Sequence, residues 1–136
     1  LNGYQKGKCF YCFDDITVDE KSENSCEVDH FFPHTLKPFF KDSNLDGVWN
    51  LVLSCRSCNR GIDGKFAKIP IVEYLERLYR RNEYLISSHH PLRETLIGQT
   101  GSTEKKRRSF LGTMDQQAIN ILIHRWSVEL VGEEVF

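Results

Sequence analysis

The chain has 136 residues, 40% hydrophobic, 12% aromatic and 27% charged, the composition of one globular domain rather than of a disordered tail or a fibre. No apolar run approaches the ~20 residues of a membrane span, and no basic-then-apolar leader opens the sequence, so a cytoplasmic chain with no membrane partner is expected. The net charge of -1 excludes a generic polycation, but it conceals net -4 over residues 1–48, net +6 over 49–108 and net -3 over 109–136. A basic middle of this kind suits either a polyanion-binding face or a solvated helix surface. Leu1 opens the chain without Met, which leads us to expect further domains in a longer parent.

In chain order, residues 1–13 read as a short segment with a turn at Cys9–Cys12, and the polar stretch 14–24 as a loop. Residues 25–32 alternate as a strand with Cys26, Val28 and His30 on one face, ended by Pro33. A loop with Pro38 and an Asn-Leu-Asp-Gly turn follows over 34–47, then a second apolar run, 48–53. A helix interrupted by Gly61 and Gly64 is predicted from Cys58. Val72, Leu75, Leu78, Tyr79, Leu85 and Ile86 recur at helical spacing over 71–86, with Pro70 in the first turn and Pro91 as a stop. One helical turn is predicted at 92–97, a loop from Gly98 to Ser102, and helices at 104–111 and 116–126 capped by Thr103 and Asp115. Trp49, Trp126 and a helical His124 are expected in the core, and residues 132–136 carry no signal.

Four of the five cysteines form two C-x-x-C pairs, Cys9/Cys12 and Cys55/Cys58, separated by 42 residues. Two such knuckles supply four thiolates in a tetrahedron, the donor set of structural zinc. A disulfide framework would leave Cys26 unpaired, and a redox motif would need only one pair. The gap exceeds the roughly 15–20 residues of a compact zinc ribbon, so a folded element must lie between the knuckles. Cys26 is expected as a small core residue rather than a ligand.

That element carries Asp29 and His30 late in the predicted strand, Asn50 before the second knuckle, and Asn59 directly after Cys58. Together, GKCFYC at 7–12, EVDHFFPHTL at 27–36, WNLVLSCRSCN at 49–59 and GK at 64–65 resemble the HNH endonuclease family over roughly residues 7–70. The resemblance implies a ββα-metal core over residues 1–70 with a four-cysteine zinc site; with the helices read after it, an α+β fold is expected in which a C-terminal helical extension over 71–136 packs on that core. It implies His30 as general base, Asn50 as the residue orienting it, and Asp29 with Asn59 as ligands of one catalytic divalent cation. The implied reaction is phosphodiester hydrolysis, most naturally of DNA, leaving 5'-phosphate and 3'-hydroxyl ends. Restriction, phage defence and mobile-element roles all fit.

The residue chemistry agrees with that assignment. A neutral imidazole near pH 7 takes a proton from water, and one hard cation stabilises a departing oxygen. Asp29 and an amide at Asn59, where many relatives have His, suit magnesium or manganese better than nickel, cobalt or zinc. Adjacent strand residues point to opposite sides, so Asp29 and His30 can share a site only where the strand twists, bulges or bends. Arg56, Arg60 and Lys65 are candidate phosphate contacts or plain surface, and His34 either touches the scissile phosphate or is structural. Arg77, Arg80 and Arg81, and the run Lys105, Lys106, Arg107 and Arg108, are further candidate backbone contacts or solvated faces. The alternative function is a non-catalytic zinc module that binds nucleic acid or protein.

Overall fold

Antiparallel pairing of two five-residue strands sets the frame. The computed structural model describes residues 2–19, 21–22 and 24–128. Strand β1, Cys26–His30, pairs with β2, Leu51–Cys55, in a register that runs from Cys26↔Cys55 to His30↔Leu51. Helix α2, Arg56–Arg60, follows without a linker, so it begins ahead of the expected Cys58. Its amino end is capped by Cys55, whose Sγ accepts the Cys58 N–H at 3.4 Å. The connection between the strands is not a plain loop. It winds into 3-10 turns at His34–Phe39 and Val48–Asn50 and buries Phe31, Phe32, Leu36 and Trp49. Each large side chain contributes roughly 1.5–3 kcal/mol on burial, enough to hold a segment with little ladder of its own.

The amino-terminal segment docks on β2. A short helix α1, Asn2–Gln5, presents Gln5, whose amide donates to the Leu53 carbonyl at 2.8 Å and accepts the Leu53 N–H at 3.0 Å. The Phe10 N–H reaches the same carbonyl at 2.9 Å. The first knuckle thereby meets the second across the sheet. Gly61 and Gly64 do not interrupt a helix; they let the chain fold tightly back under α2. A Cβ on Gly61 would lie 2.6 Å from the Ser57 carbonyl oxygen, and one on Gly64 2.7 Å from the Gly61 nitrogen.

The rest is helical, apart from a second sheet. Strand β3, Ile69–Pro70, pairs in parallel with β4, Arg125–Trp126, on either side of α3 (Val72–Ser87), α4 (Arg93–Thr100) and α5 (Glu104–Ile121). Pro70 therefore lies in a strand rather than in the first turn of α3, a position a proline accepts at a sheet edge. Helix α4 runs through Gly98 to Thr100. Helix α5 replaces the two predicted helices: Thr103 caps it as expected, through the Lys106 N–H at 3.2 Å, but Asp115 lies inside it and accepts Arg125 at 3.0 and 2.8 Å. His124 is exposed beyond the helix, whereas Trp49 and Trp126 are core residues. Cys26 is only half-buried.

Helix α3 is fastened to the strands by Arg81, which is wholly buried. Its guanidinium donates to the carbonyls of Leu51 at 2.8 Å and Val48 at 3.0 Å, and to the Asn82 amide oxygen at 2.8 Å. Burial draws its pKa down to about 10. Arg77 donates to the Phe10 and Tyr11 carbonyls and lies 4.2 Å from the Phe13 ring centroid. Among the described residues no helix is long and apolar enough to cross a membrane.

Candidate functional site

The sulfur atoms of Cys9, Cys12, Cys55 and Cys58 all lie within 4.8 Å of one another. The Cys12–Cys55 separation of 3.8 Å matches the tetrahedron edge, about 3.8 Å, that Zn–S bonds of about 2.3 Å require. Backbone N–H groups of Tyr11, Asp14 and Cys58 point at the sulfurs of Cys9, Cys12 and Cys55 from 3.4, 3.5 and 3.4 Å, as they do towards thiolate ligands. A hydrogen bond from Cys58 draws the Cys9 thiol down to about 4 against its burial. Burial pushes Cys12 up to about 12, and the bond to Cys9 backed by burial pushes Cys58 far up. Four thiolates at this spacing repel one another and call for a cation between them. The four-cysteine cluster thus fits a zinc site.

Beyond the other end of α2 opens a cleft of about 420 Å³ whose lining includes Asp29, His30, His34, Asn59, Arg60 and Phe66. The expected bulge is absent, since pairing is regular up to His30↔Leu51. Asp29 and His30 nevertheless border one cleft, because it opens around the end of β1, where Pro33 turns the chain. The His30 Nε2 lies 2.8 Å from Asp46 Oδ1, and Lys37 donates to Asp46 Oδ2 at 2.7 Å. Hydrogen bonds from Lys37 and then His30 hold the Asp46 carboxyl below the usual carboxylate range. An ionised Asp46 accepts the Nε2 proton and leaves Nδ1 as the basic nitrogen.

Asn50, expected to orient His30, bonds to backbone groups rather than to the imidazole. It is fully buried, accepting the Phe32 N–H at 2.8 Å and donating to the Phe32 and Leu45 carbonyls, each at 2.9 Å. It fixes the backbone just after His30. Asn59 gives its amide N–H to Glu27 at 2.8 Å, which leaves its oxygen as the acceptor. Burial alone would raise the Glu27 carboxyl; hydrogen bonds from Asn59 and Arg60 outweigh it and hold the group low.

Lys65 overturns its expectation as a phosphate contact. It is wholly buried and offers no surface to a ligand. Its ammonium donates to the His30 carbonyl at 2.8 Å and lies 3.3 Å from Asp29 Oδ2. Tyr11 donates to that same oxygen at 2.6 Å, whereas among the described residues Asp29 Oδ1 has only the 3.5 Å contact to Lys65. Burial pushes the Asp29 carboxyl up and the Lys65 ammonium down, and each is the other's main counterweight. Asp29 and Asn59 thus bring a carboxylate and an amide oxygen to the lining of one cleft, and oxygen donors of this kind fit a hard divalent cation.

The basic middle segment is mostly consumed internally. Arg81 and Lys65 are buried, Arg107 pairs with Glu83 at 2.6 Å, and Arg108 with Glu76 at 3.3 Å. Arg56 and Arg60 both lean on Glu27, at 3.5 and 2.6 Å, and Arg60 keeps more than half its side chain exposed at the cleft. His34 is exposed on the cleft wall, its ring 5.9 Å from that of His30. Sequence reasoning missed Asp46, Glu27 and Tyr11. Asp46 lay in a turn motif, which explained it fully. Glu27 preceded Asp29 at the same-face spacing of a strand, a signal that could have been used.

Residues 9–70 match the sequence profile of the family described as HNH endonuclease. Among curated proteins and among solved structures, none matches the chain.

Proposed function

Because residues 9–70 match the HNH endonuclease family, we propose that this chain is a metal-dependent nuclease that hydrolyses phosphodiester bonds in DNA within a restriction, defence or mobile-element system. A nuclease-type function follows from the family; the residue roles, the cation and the substrate are our reading. The observation that carries it is the convergence of His30, Asp29 and Asn59 on one cleft. His30 Nδ1 takes the proton of the attacking water, while Asp46 holds Nε2–H and keeps the imidazole in that tautomer. Lys65 holds the His30 carbonyl and Asn50 the Phe32 N–H, so the backbone leaving His30 is fixed at two points. Asp29 and Asn59 would hold Mg2+ or Mn2+, which supplies charge neutralisation at the phosphoryl and departing oxygens. Arg60 and His34 receive the neighbouring phosphates, with Arg56 behind Arg60.

Residues 1–70 carry the nuclease in this reading, and the helices after residue 70 brace it through Arg77, Arg81 and the β3–β4 pair. Cysteines held as zinc thiolates suit a reducing compartment, in keeping with a cytoplasmic location. The test is cleavage of supercoiled plasmid in magnesium or manganese. His30→Ala should lower the rate by about 10²–10⁴-fold, the usual contribution of a general base, while zinc content and thermal midpoint stay near those of the parent. A His30→Ala protein that cuts at the parental rate, or a parent that binds DNA but never cuts it, would leave the non-catalytic zinc module as the reading.

A further inference from the structure

Phe66 presents a contradiction at the rim of the cleft. Its backbone is left-handed, with φ +48°, a conformation that only glycine and, less well, asparagine adopt without strain. The conformation is imposed by the wrap beneath α2, where the Lys65 and Phe66 N–H groups cap the Cys58 and Asn59 carbonyls at 2.6 and 2.8 Å. A phenylalanine tolerated in such a place normally returns something to the fold. Phe13, also left-handed at φ +66°, does so by stacking beneath the Arg77 guanidinium. Phe66 does not: it is 55% exposed, and among the described residues no ring or guanidinium stacks on it. A strained, exposed aromatic that adds nothing to the core, set in the same cleft as His30 and Asn59, points to a ligand rather than to stability.

We propose that Phe66 is a stacking wedge for a nucleobase next to the bond that His30 attacks; this rests on the nuclease reading. The chemistry of the cleft selects that occupant. Val28, 58% exposed, and Phe66 give it an apolar wall, while Arg60 and His34 give it a polar and cationic one. A nucleotide presents that same pairing, an apolar π-face joined to an anionic phosphate. Aromatic side chains of nucleic-acid proteins either insert between base steps and partly unstack them or offer a platform to an unpaired base. Phe66 directly follows Lys65, which pins the His30 carbonyl, so the wedge and the base are fixed to one scaffold. Displacing a base would open the backbone and present the phosphate to His30.

The experiment separates gain for the fold from gain for the substrate. Phe66→Gly and Phe66→Asn relieve the backbone strain, so the thermal midpoint of the full zinc-loaded chain should hold or rise. In a His30→Ala background, where binding is read without cutting, a duplex DNA oligonucleotide carrying interior 2-aminopurine should brighten on binding as the base unstacks. Both Phe66 variants should lose that brightening and bind on the order of 10-fold more weakly, the scale of one lost base stack, while Phe66→Tyr restores both. Parental brightening and affinity in Phe66→Gly, or a lowered midpoint in both Phe66→Gly and Phe66→Asn, overturns the wedge alone. Cleavage at the parental rate by His30→Ala, with the wedge signals intact, overturns the catalytic reading alone. A parent chain that binds no nucleic acid overturns both.

Discussion

The two polar centres of this molecule share a five-residue helix and solve the problem of charge in opposite ways. The cysteine cluster gathers four like donors in a largely buried pocket, where burial pushes the Cys12 thiol up and the hydrogen bond to Cys9, backed by burial, pushes Cys58 up. The cleft gathers unlike side chains at an open rim, and each already has a protein partner: Asp29 has Lys65 and Tyr11, Asn59 has Glu27, and His30 has Asp46. A cation at the first centre would complete a set of like donors, whereas the side chains of the second already satisfy one another within the protein.

The largest effect that would break this contrast is zinc removal. Chelation, or Cys55→Ser, should unfold the chain, since structural zinc contributes on the order of 10 kcal/mol in small modules. The cleft should be lost with it, because Asn59 and Cys58 share a helix. Native circular dichroism in zinc-free protein would show that the cluster is not structural. Next in size is Lys65→Met, which strands the Asp29 carboxylate. A loss of about 3–5 kcal/mol in denaturant midpoint analysis is expected. Adding Asp29→Asn should recover much of that loss, and independent, additive costs would deny the coupling. Lys65→Met should also tighten manganese binding at the cleft by calorimetry, by removing the competing cation.

A smaller effect belongs to Asp46→Ala, which leaves the His30 ring without its anchor. Turnover should fall about 10–100-fold with KM and stability nearly unchanged. Long-range nitrogen–proton NMR should show His30 shifting from a predominant Nε2–H tautomer to a mixture. A preserved tautomer would make Asp46 an ordinary surface acid. The smallest effect is expected from Arg60→Ala, which should weaken DNA binding alike across sequences and reduce the salt slope by about one unit. The same change at Arg108, paired with Glu76 and remote from the cleft lining, should leave the slope as it was.

What could be seen in the sequence followed from chemistry that local spacing alone can express. Two C-x-x-C pairs have little reason to exist without a shared ligand, and the structure brings their sulfurs together. Asp29, His30 and Asn59 were marked by motif and do border one cleft, and Asn50, expected to orient His30, makes its hydrogen bonds to the backbone of Phe32 and Leu45. Lys65 was illegible because its meaning depends on Asp29, 36 residues away. An isolated lysine reads as solvated, and only the fold brings it a buried carboxylate. The net +6 of the middle segment misled for a related reason: a sum of charges cannot tell Arg81 on backbone carbonyls from an arginine awaiting phosphate. Asp115 carried the signature of a helix cap, and its partner Arg125, ten residues on, instead holds it inside α5.

The parallel pairing of β3 with β4 has a consequence in time. Trp126 donates its indole N–H to the Asp63 carbonyl at 2.8 Å, two residues before Lys65, and β4 completes the strand that carries the chain out of the Lys65–Phe66 turn. A ribosome delivers the residues of the cleft early and this clasp more than fifty residues later. The strand that follows the Lys65–Phe66 turn therefore stays unpaired while more than fifty further residues are made.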